Sequence, residues 1–304
     1  MEQKNSAVLC LVLATLFWAI GGVSWKIFSN LGFAFVLVFW VSRLFKFLSV
    51  LFISYYRVTV HEPVKGPREG GIILLNALFS IATPLFFFLA VSRTTVSNAY
   101  FLQFTMSAWV LVAAVLFLGE KITAKKTLAL GLVLAGVLFI ARPERLLSLN
   151  LGILFGLLSA VSYAGDIITA RELKGYSYHT VSVYTNAMQF LIATVLLAIL
   201  FQDFGALGIA PLGFAGMVVF GIILGIASDL YYQALHSLEA SKAAIIAHLE
   251  LFFACILAFF IFGESPTGAE LLGYGAIFAA SVVIVLRKSD IGHFERLLHL
   301  ADKK

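Results

Sequence analysis

Long apolar stretches broken by short polar punctuation run the length of the chain. A run of about 17–25 apolar residues is long enough to cross a bilayer as a helix. The pattern predicts ten such helices, near 6–28, 31–56, 70–92, 95–118, 124–142, 150–171, 177–201, 211–236, 240–263 and 268–287. Most connections are very short, so successive helices are expected to lie antiparallel. Local chemistry marks the breaks. Asn30-Leu31-Gly32 turns the first hairpin, and His61–Arg68, with Pro63 and Pro67, forms the longest polar loop in the first half. Gly119-Glu120 ends the fourth run and Gly263-Glu264 the ninth. Pro84 falls inside the third run, where a missing N–H is expected to kink the helix.

Composition narrows the class. Apolar residues make up 61% of the 304-residue chain and charged ones 12%, against roughly half and a quarter in a soluble domain. A multi-pass protein of a cell membrane, prokaryotic plasma membrane by expectation, is the consistent reading. The net charge of +5 comes from basic residues scattered over short loops, which does not suggest nucleic acid. Cys10 and Cys255 both lie in apolar runs and do not suggest a disulfide framework. The first apolar run lacks a cleavage-site pattern and is read as a retained span. Lysine and arginine then set the orientation. Lys4, Arg57, Lys65, Arg68, Lys121, Lys125, Lys126, Arg171, Lys174, Lys242, Arg287, Lys288, Arg296, Lys303 and Lys304 lie on the side of the N-terminus, whereas Lys26, Arg93, Arg142 and Arg145 lie opposite. Both termini are therefore expected in the cytoplasm. The tail 289–304 reads as an amphipathic helix on the inner membrane surface.

The fourth and ninth runs are related. Shifted by 144 residues without a gap, Ala90, Ser97, Ala99, Ala114, Gly119, Glu120 and Thr123 fall on Ala234, Ser241, Ala243, Ala258, Gly263, Glu264 and Thr267. Each half, 1–145 and 146–288, then holds five spans. An odd number forces the second half into the membrane upside-down relative to the first, a layout recurrent in secondary transporters.

Trp18-Ala19, Leu118-Gly-Glu-Lys-Ile-Thr123 followed by Gly131 and Gly136, and Phe262-Gly-Glu-Ser-Pro-Thr267 followed by Gly275 carry a family likeness. Over about residues 6–288 the chain resembles the EamA-type ten-helix members of the drug/metabolite transporter superfamily. The resemblance implies metabolite transport, usually export, by alternating access. One departure is that the proline often found before the Gly-Glu is Met106 in one half and Glu250 in the other.

A charge near the bilayer centre usually faces a cavity or a partner. Arg43 and Glu250 are the most central. They are expected either to form an ion pair joining the halves or to line the cavity. In the second case Arg43 takes a substrate carboxylate or phosphate, and Glu250 a substrate amine or a proton. Asp229 and Asp166 are gating or proton-coupling candidates. Lys26 and Lys46 are expected to snorkel. Trp18, Tyr100, Gln103, Asn76, Gln189 and His248 complete the candidate substrate-binding set. His248 and Glu250 stand about 200° apart on a helix and so do not form a metal site. Glu120 and Glu264 are expected to cap the helices that follow them. The expectation is a secondary transporter, with amino-acid export and possible proton coupling foremost. An organic-phosphate or nucleotide-sugar antiporter is the alternative, and a membrane-embedded enzyme or sensor the reading from another class. No cofactor or metal is called for, and the partners expected are a small molecule, the lipid bilayer and at most a second copy of the chain.

Overall fold

The computed structural model describes residues 2–57, 62–91, 93, 96–141, 151–200, 211–263 and 265–285. The tail 289–304, Arg142, Arg145 and Glu264 lie outside the described residues. Within them the chain is all helical: α1 (Glu2–Asn30), α2 (Phe35–Tyr56), α3 (Pro67–Val91), α4 (Val96–Phe104), α5 (Met106–Leu118), α6 (Ala124–Ala141), α7 (Leu151–Glu172), α8 (Tyr178–Leu200), α9 (Pro211–Ser237), α10 (Ala240–Ala247), α11 (Leu249–Phe262) and α12 (Gly268–Val285). Eight helical stretches are long and apolar enough to span a bilayer, with Leu102–Leu118 a shorter apolar one.

The ten expected runs appear as twelve described helices because the fourth and ninth are broken, and side chains make the breaks. The Thr105 hydroxyl donates to the Leu102 carbonyl at 2.6 Å, and the Ala108 N–H turns to the Thr105 carbonyl. In the second half the His248 Nδ1 sits 2.8 Å from the Ala244 carbonyl, and the His248 N–H moves to Ile245. Each side chain occupies a carbonyl near the one its own backbone would use, which bends a helix. The broken helices end alike. Gly119 and Gly263 adopt φ of 64° and 68°, the left-handed conformation that glycine enters without steric cost.

Packing exchanges the halves. Helix α1 packs on α9 and α11, while α7 packs on α3 and α5; α6 meets α12, and α2 meets α8. Helix α9 comes close enough to α2 that a Cβ on Gly221 would sit 2.9 Å from the Ser42 carbonyl oxygen. One on Gly225 would sit 2.8 Å from that of Lys46. Glycine there is a condition of contact between backbones. Leucines and phenylalanines such as Phe52, Leu116, Phe117, Phe260 and Leu272 point outward, as a lipid-facing surface requires.

Candidate functional site

A cavity of about 720 Å³ runs from the middles of the helices to the end where α1 finishes and α2 begins. Arg43, Lys46, Asp166 and Glu250 stand at its depth beside Trp18 and Tyr163. Trp25, Lys26, Phe35, Phe88, Phe262 and Glu270 line it toward the mouth.

Arg43 comes from the middle of α2 and is 6% exposed. Its guanidinium lies 4.7 Å from the Phe39 ring centroid, and its Nε has no hydrogen-bond partner among the described residues. Of the two arrangements expected for Arg43 and Glu250, no ion pair between them is formed among the described residues, and both residues line the same cavity. Glu250 sits in the first turn of α11, where the break at His248 brings a helix N-terminus to the cavity wall. The partial positive charge of that terminus favours a carboxylate. The Tyr163 hydroxyl is a second buried polar atom without a partner among the described residues, on a residue of the same cavity wall.

Lys46 does not snorkel. It is 7% exposed and donates from Nζ to Gln189 Oε1 at 3.1 Å. Its position one helical turn beyond Arg43 places it on the same face of α2, directed into the molecule. Lys26 lines the mouth, with Nζ 4.4 Å from the Phe262 ring centroid.

Trp18, Tyr100, Gln103 and Asp166 line the cavity as Arg43 and Glu250 do. Trp18 meets Tyr163 and Tyr231 edge-on, at 6.2 and 5.0 Å between centroids. Gln103 donates to the Ser159 hydroxyl at 2.9 Å, which in turn donates to the Thr83 carbonyl. The remaining candidates stand elsewhere. Asn76 is fully buried behind the cavity: it donates to Asp166 Oδ1 at 2.8 Å and accepts from Thr185 and Tyr232. Gln189 accepts from Lys46 and donates to Ser80. Both amides spend their polar atoms on neighbouring helices and do not line the cavity. His248 is also fully buried away from it. Its ring spans the two halves, with Nε2 2.9 Å from the Phe104 carbonyl oxygen that the first break released.

Asp166 is tied into the same buried network by the Tyr231 hydroxyl at 3.0 Å, rather than to the nearby Arg171. Arg171 donates to the last carbonyls of α9, at Leu235 and His236. Asp229 does not line the cavity. It lies 3.4 Å from Arg57 and 3.3 Å from His179, at the end opposite the mouth.

That opposite end is closed by ionic contacts. Glu120 does not cap α6. It accepts from the Ala240 N–H at 2.6 Å and from the Ser241 N–H and hydroxyl, so it caps α10 in the other half. Lys126 Nζ joins Glu120 at 2.9 Å and Glu239 at 2.7 Å. Burial works to raise the Glu239 carboxyl, but hydrogen bonds and charge from Lys126 and Lys242 outweigh it and bring the group to about 2. No cluster of His, Cys, Asp and Glu among the described residues has the arrangement of a metal site.

Known proteins share this architecture. A solved crystal structure superposes with a TM-score of 0.77 at 15% identity, covering 92% of this chain and 96% of the other. An uncharacterized transporter of Archaeoglobus fulgidus is 27% identical over 223 residues, which is 73% of this chain and 78% of that one. The pseudopaline exporter of Pseudomonas aeruginosa is 24% identical over 221 residues, 71% of this chain and 76% of the exporter. The S-adenosylmethionine uptake transporter of Rickettsia felis is 27% identical over 195 residues, 62% of this chain and 63% of that protein. The profile of the EamA-like transporter family matches residues 5–142 and again 150–286. A helical, strongly apolar chain matched twice by that profile is a multi-pass integral membrane protein, and it belongs to the EamA-like transporter family of the drug/metabolite transporter superfamily.

Proposed function

We propose that the protein is a secondary transporter exporting a small zwitterionic metabolite, with amino acids the foremost class. The observation that carries this reading is the pair of opposite charges, Arg43 and Glu250, facing one deep cavity without pairing to each other. A buried charge left without a partner is costly, and a ligand bearing both signs relieves both costs at once. Trp18, Tyr100 and Gln103 complete the site with apolar surface and hydrogen-bonding groups. Asp166 at the depth of the cavity and Asp229 in the closed end act as gating groups, with Asn76, Gln189 and His248 as polar scaffold on the surrounding helices.

The proposed topology is two five-helix units, 1–145 and 146–288, inserted in opposite senses with both termini cytoplasmic. The cavity mouth then faces outward and the ionic end faces the cytoplasm. Transport requires the two ends to exchange roles. Glu250 is the proposed proton carrier, because it stands in the substrate cavity, where protonation and substrate binding compete. Relatives named for export and for uptake both occur, so the direction rests on the export usual in the family.

Reconstituted protein in vesicles preloaded with radiolabelled L-amino acids tests the reading. Efflux above that of empty vesicles is expected, faster when a pH gradient drives protons inward. Absence of flux for every amino acid under every gradient would overturn it. Flux that ignores the gradient would remove proton coupling alone. Efflux of Glu250→Gln is expected to lose its pH dependence.

A further inference from the structure

We propose that Arg43 and Lys46 together form a seat for a single carboxylate, which anchors the substrate to α2 at the bottom of the cavity. They are one helical turn apart and both at least nine-tenths buried. Two like charges in a desolvated place repel one another, and the arrangement persists at a cost unless anions lie close by. Asp166 supplies one negative charge at this depth. Lys46 donates to Gln189, a neutral acceptor that adds no negative charge of its own. At α2 the two cations outnumber the one aspartate, and Glu250 on α11 balances them across the cavity, so a ligand that brings its own cationic group along with a single carboxylate fits this set.

The geometry of the donors agrees. The Arg43 guanidinium packs on the Phe39 ring, and its Nε is buried without a hydrogen-bond partner among the described residues, so a small side-chain shift toward the cavity would present the planar fork that a carboxylate takes. Tyr163 lines the same cavity, and its buried hydroxyl has no partner among the described residues. Phosphate dianions fit less well, because Asp166 and Glu250 line the same cavity. Lys46 is thereby a specificity-determining residue for the anionic end of the substrate, while Glu250 addresses the cationic end. The inference rests on the transport reading only in taking this cavity as the place where substrate binds.

Acetate, which carries a carboxylate and little else, is the probe. The melting temperature of the purified full-length chain in detergent is measured as chloride is replaced by acetate, or by phosphate, at constant ionic strength and neutral pH. A ligand bound to the folded state raises that temperature. The expected result is a rise of several degrees with acetate in the wild type and a smaller one with phosphate. The acetate shift is abolished in Arg43→Gln, at least halved in both Lys46→Gln and Lys46→Met, and retained in Lys46→Arg. Each variant is compared with itself in chloride, so a general loss of stability does not mimic the result. An acetate shift unchanged in both neutral Lys46 variants, a larger shift with phosphate, or no acetate shift in the wild type overturns the seat. None of these readings depends on flux, so an anion seat in a chain that moves no amino acid, or flux without a seat, separates this inference from the transport reading.

Discussion

The two ends of the molecule are built from different materials. At the closed end, charges meet between helices: Glu120 with α10 and Lys126, Lys126 with Glu239, Arg57 with Asp229, and, at the surface, Arg68 with Glu172 at 3.2 Å. At the mouth, aromatic rings line the walls instead. Phe35 stacks on Phe88 with 4.0 Å between centroids, and Trp25 stacks on Phe35 at 5.2 Å. The difference lies in how sharply each material depends on geometry. A buried ion pair stabilises only while its partners stay together, and separating them costs several kcal/mol unless water enters. Stacked rings tolerate sliding and lose about 1 kcal/mol or less when displaced. In the proposed transport cycle, an end that is either shut or open suits the first material, and a wall along which a ligand slides suits the second.

Three substitutions test that contrast. The largest effect is expected for Glu120→Ala, which leaves the buried Lys126 ammonium without one carboxylate and the first turn of α10 uncapped. The loss should reach about 3 kcal/mol. It should appear as a lower melting temperature together with greater labelling of a cysteine placed at Ser237. Wild-type behaviour in both measurements would mean that the closed end does not depend on this contact. A smaller effect is expected for Phe88→Leu at the mouth, about 1 kcal/mol from the lost stack, with labelling at Ser237 unchanged. A rise in that labelling would show that the ends do not behave separately.

The smallest effect concerns acid. Because the Glu239 carboxyl is held at about 2, below its unfolded value, its contribution is present above the unfolded pKa and fades as pH falls through about 4.5 toward 2. Its side chain is 41% exposed, so solvent screening limits the gain to under about 1 kcal/mol. Melting temperatures of wild type and Glu239→Gln should differ slightly at neutral pH and converge in acid. A gap that widens in acid would reverse the sign of the contribution.

Much of the fold was legible because the bilayer imposes it. Backbone polar groups in lipid must be satisfied within a helix, so span lengths and turn residues can be read directly. The breaks at Thr105 and His248 were not legible, since they arise where a side chain takes a carbonyl from its own backbone. Neither leaves a mark in hydropathy. At the candidate site, Arg43, Asp166 and Glu250 stood out because charge in an apolar run is conspicuous. Lys46 was misjudged because its distance from the end of the run allowed snorkelling, and only packing against α8 shows it turned inward to Gln189. Tyr163 is not among the candidates the sequence offers, because it is one aromatic residue among many. Glu120 was assigned the nearest helix as its partner, whereas its partner is 120 residues away. Asn76 and Gln189 illustrate the same limit: a polar residue in a span announces that it has a partner, not which one.

The contact between His248 and Phe104 joins residues 144 apart, the same interval that superimposes the two halves of the sequence. A point and its image can touch only where a symmetry operation leaves space unmoved. In the proposed two-fold arrangement this contact therefore sits on the axis, at the fulcrum of a seesaw. When the two arms trade places, the fulcrum maps onto itself. His248 can keep hold of Phe104 while the ends swap between shut and open, and so give the motion a fixed centre.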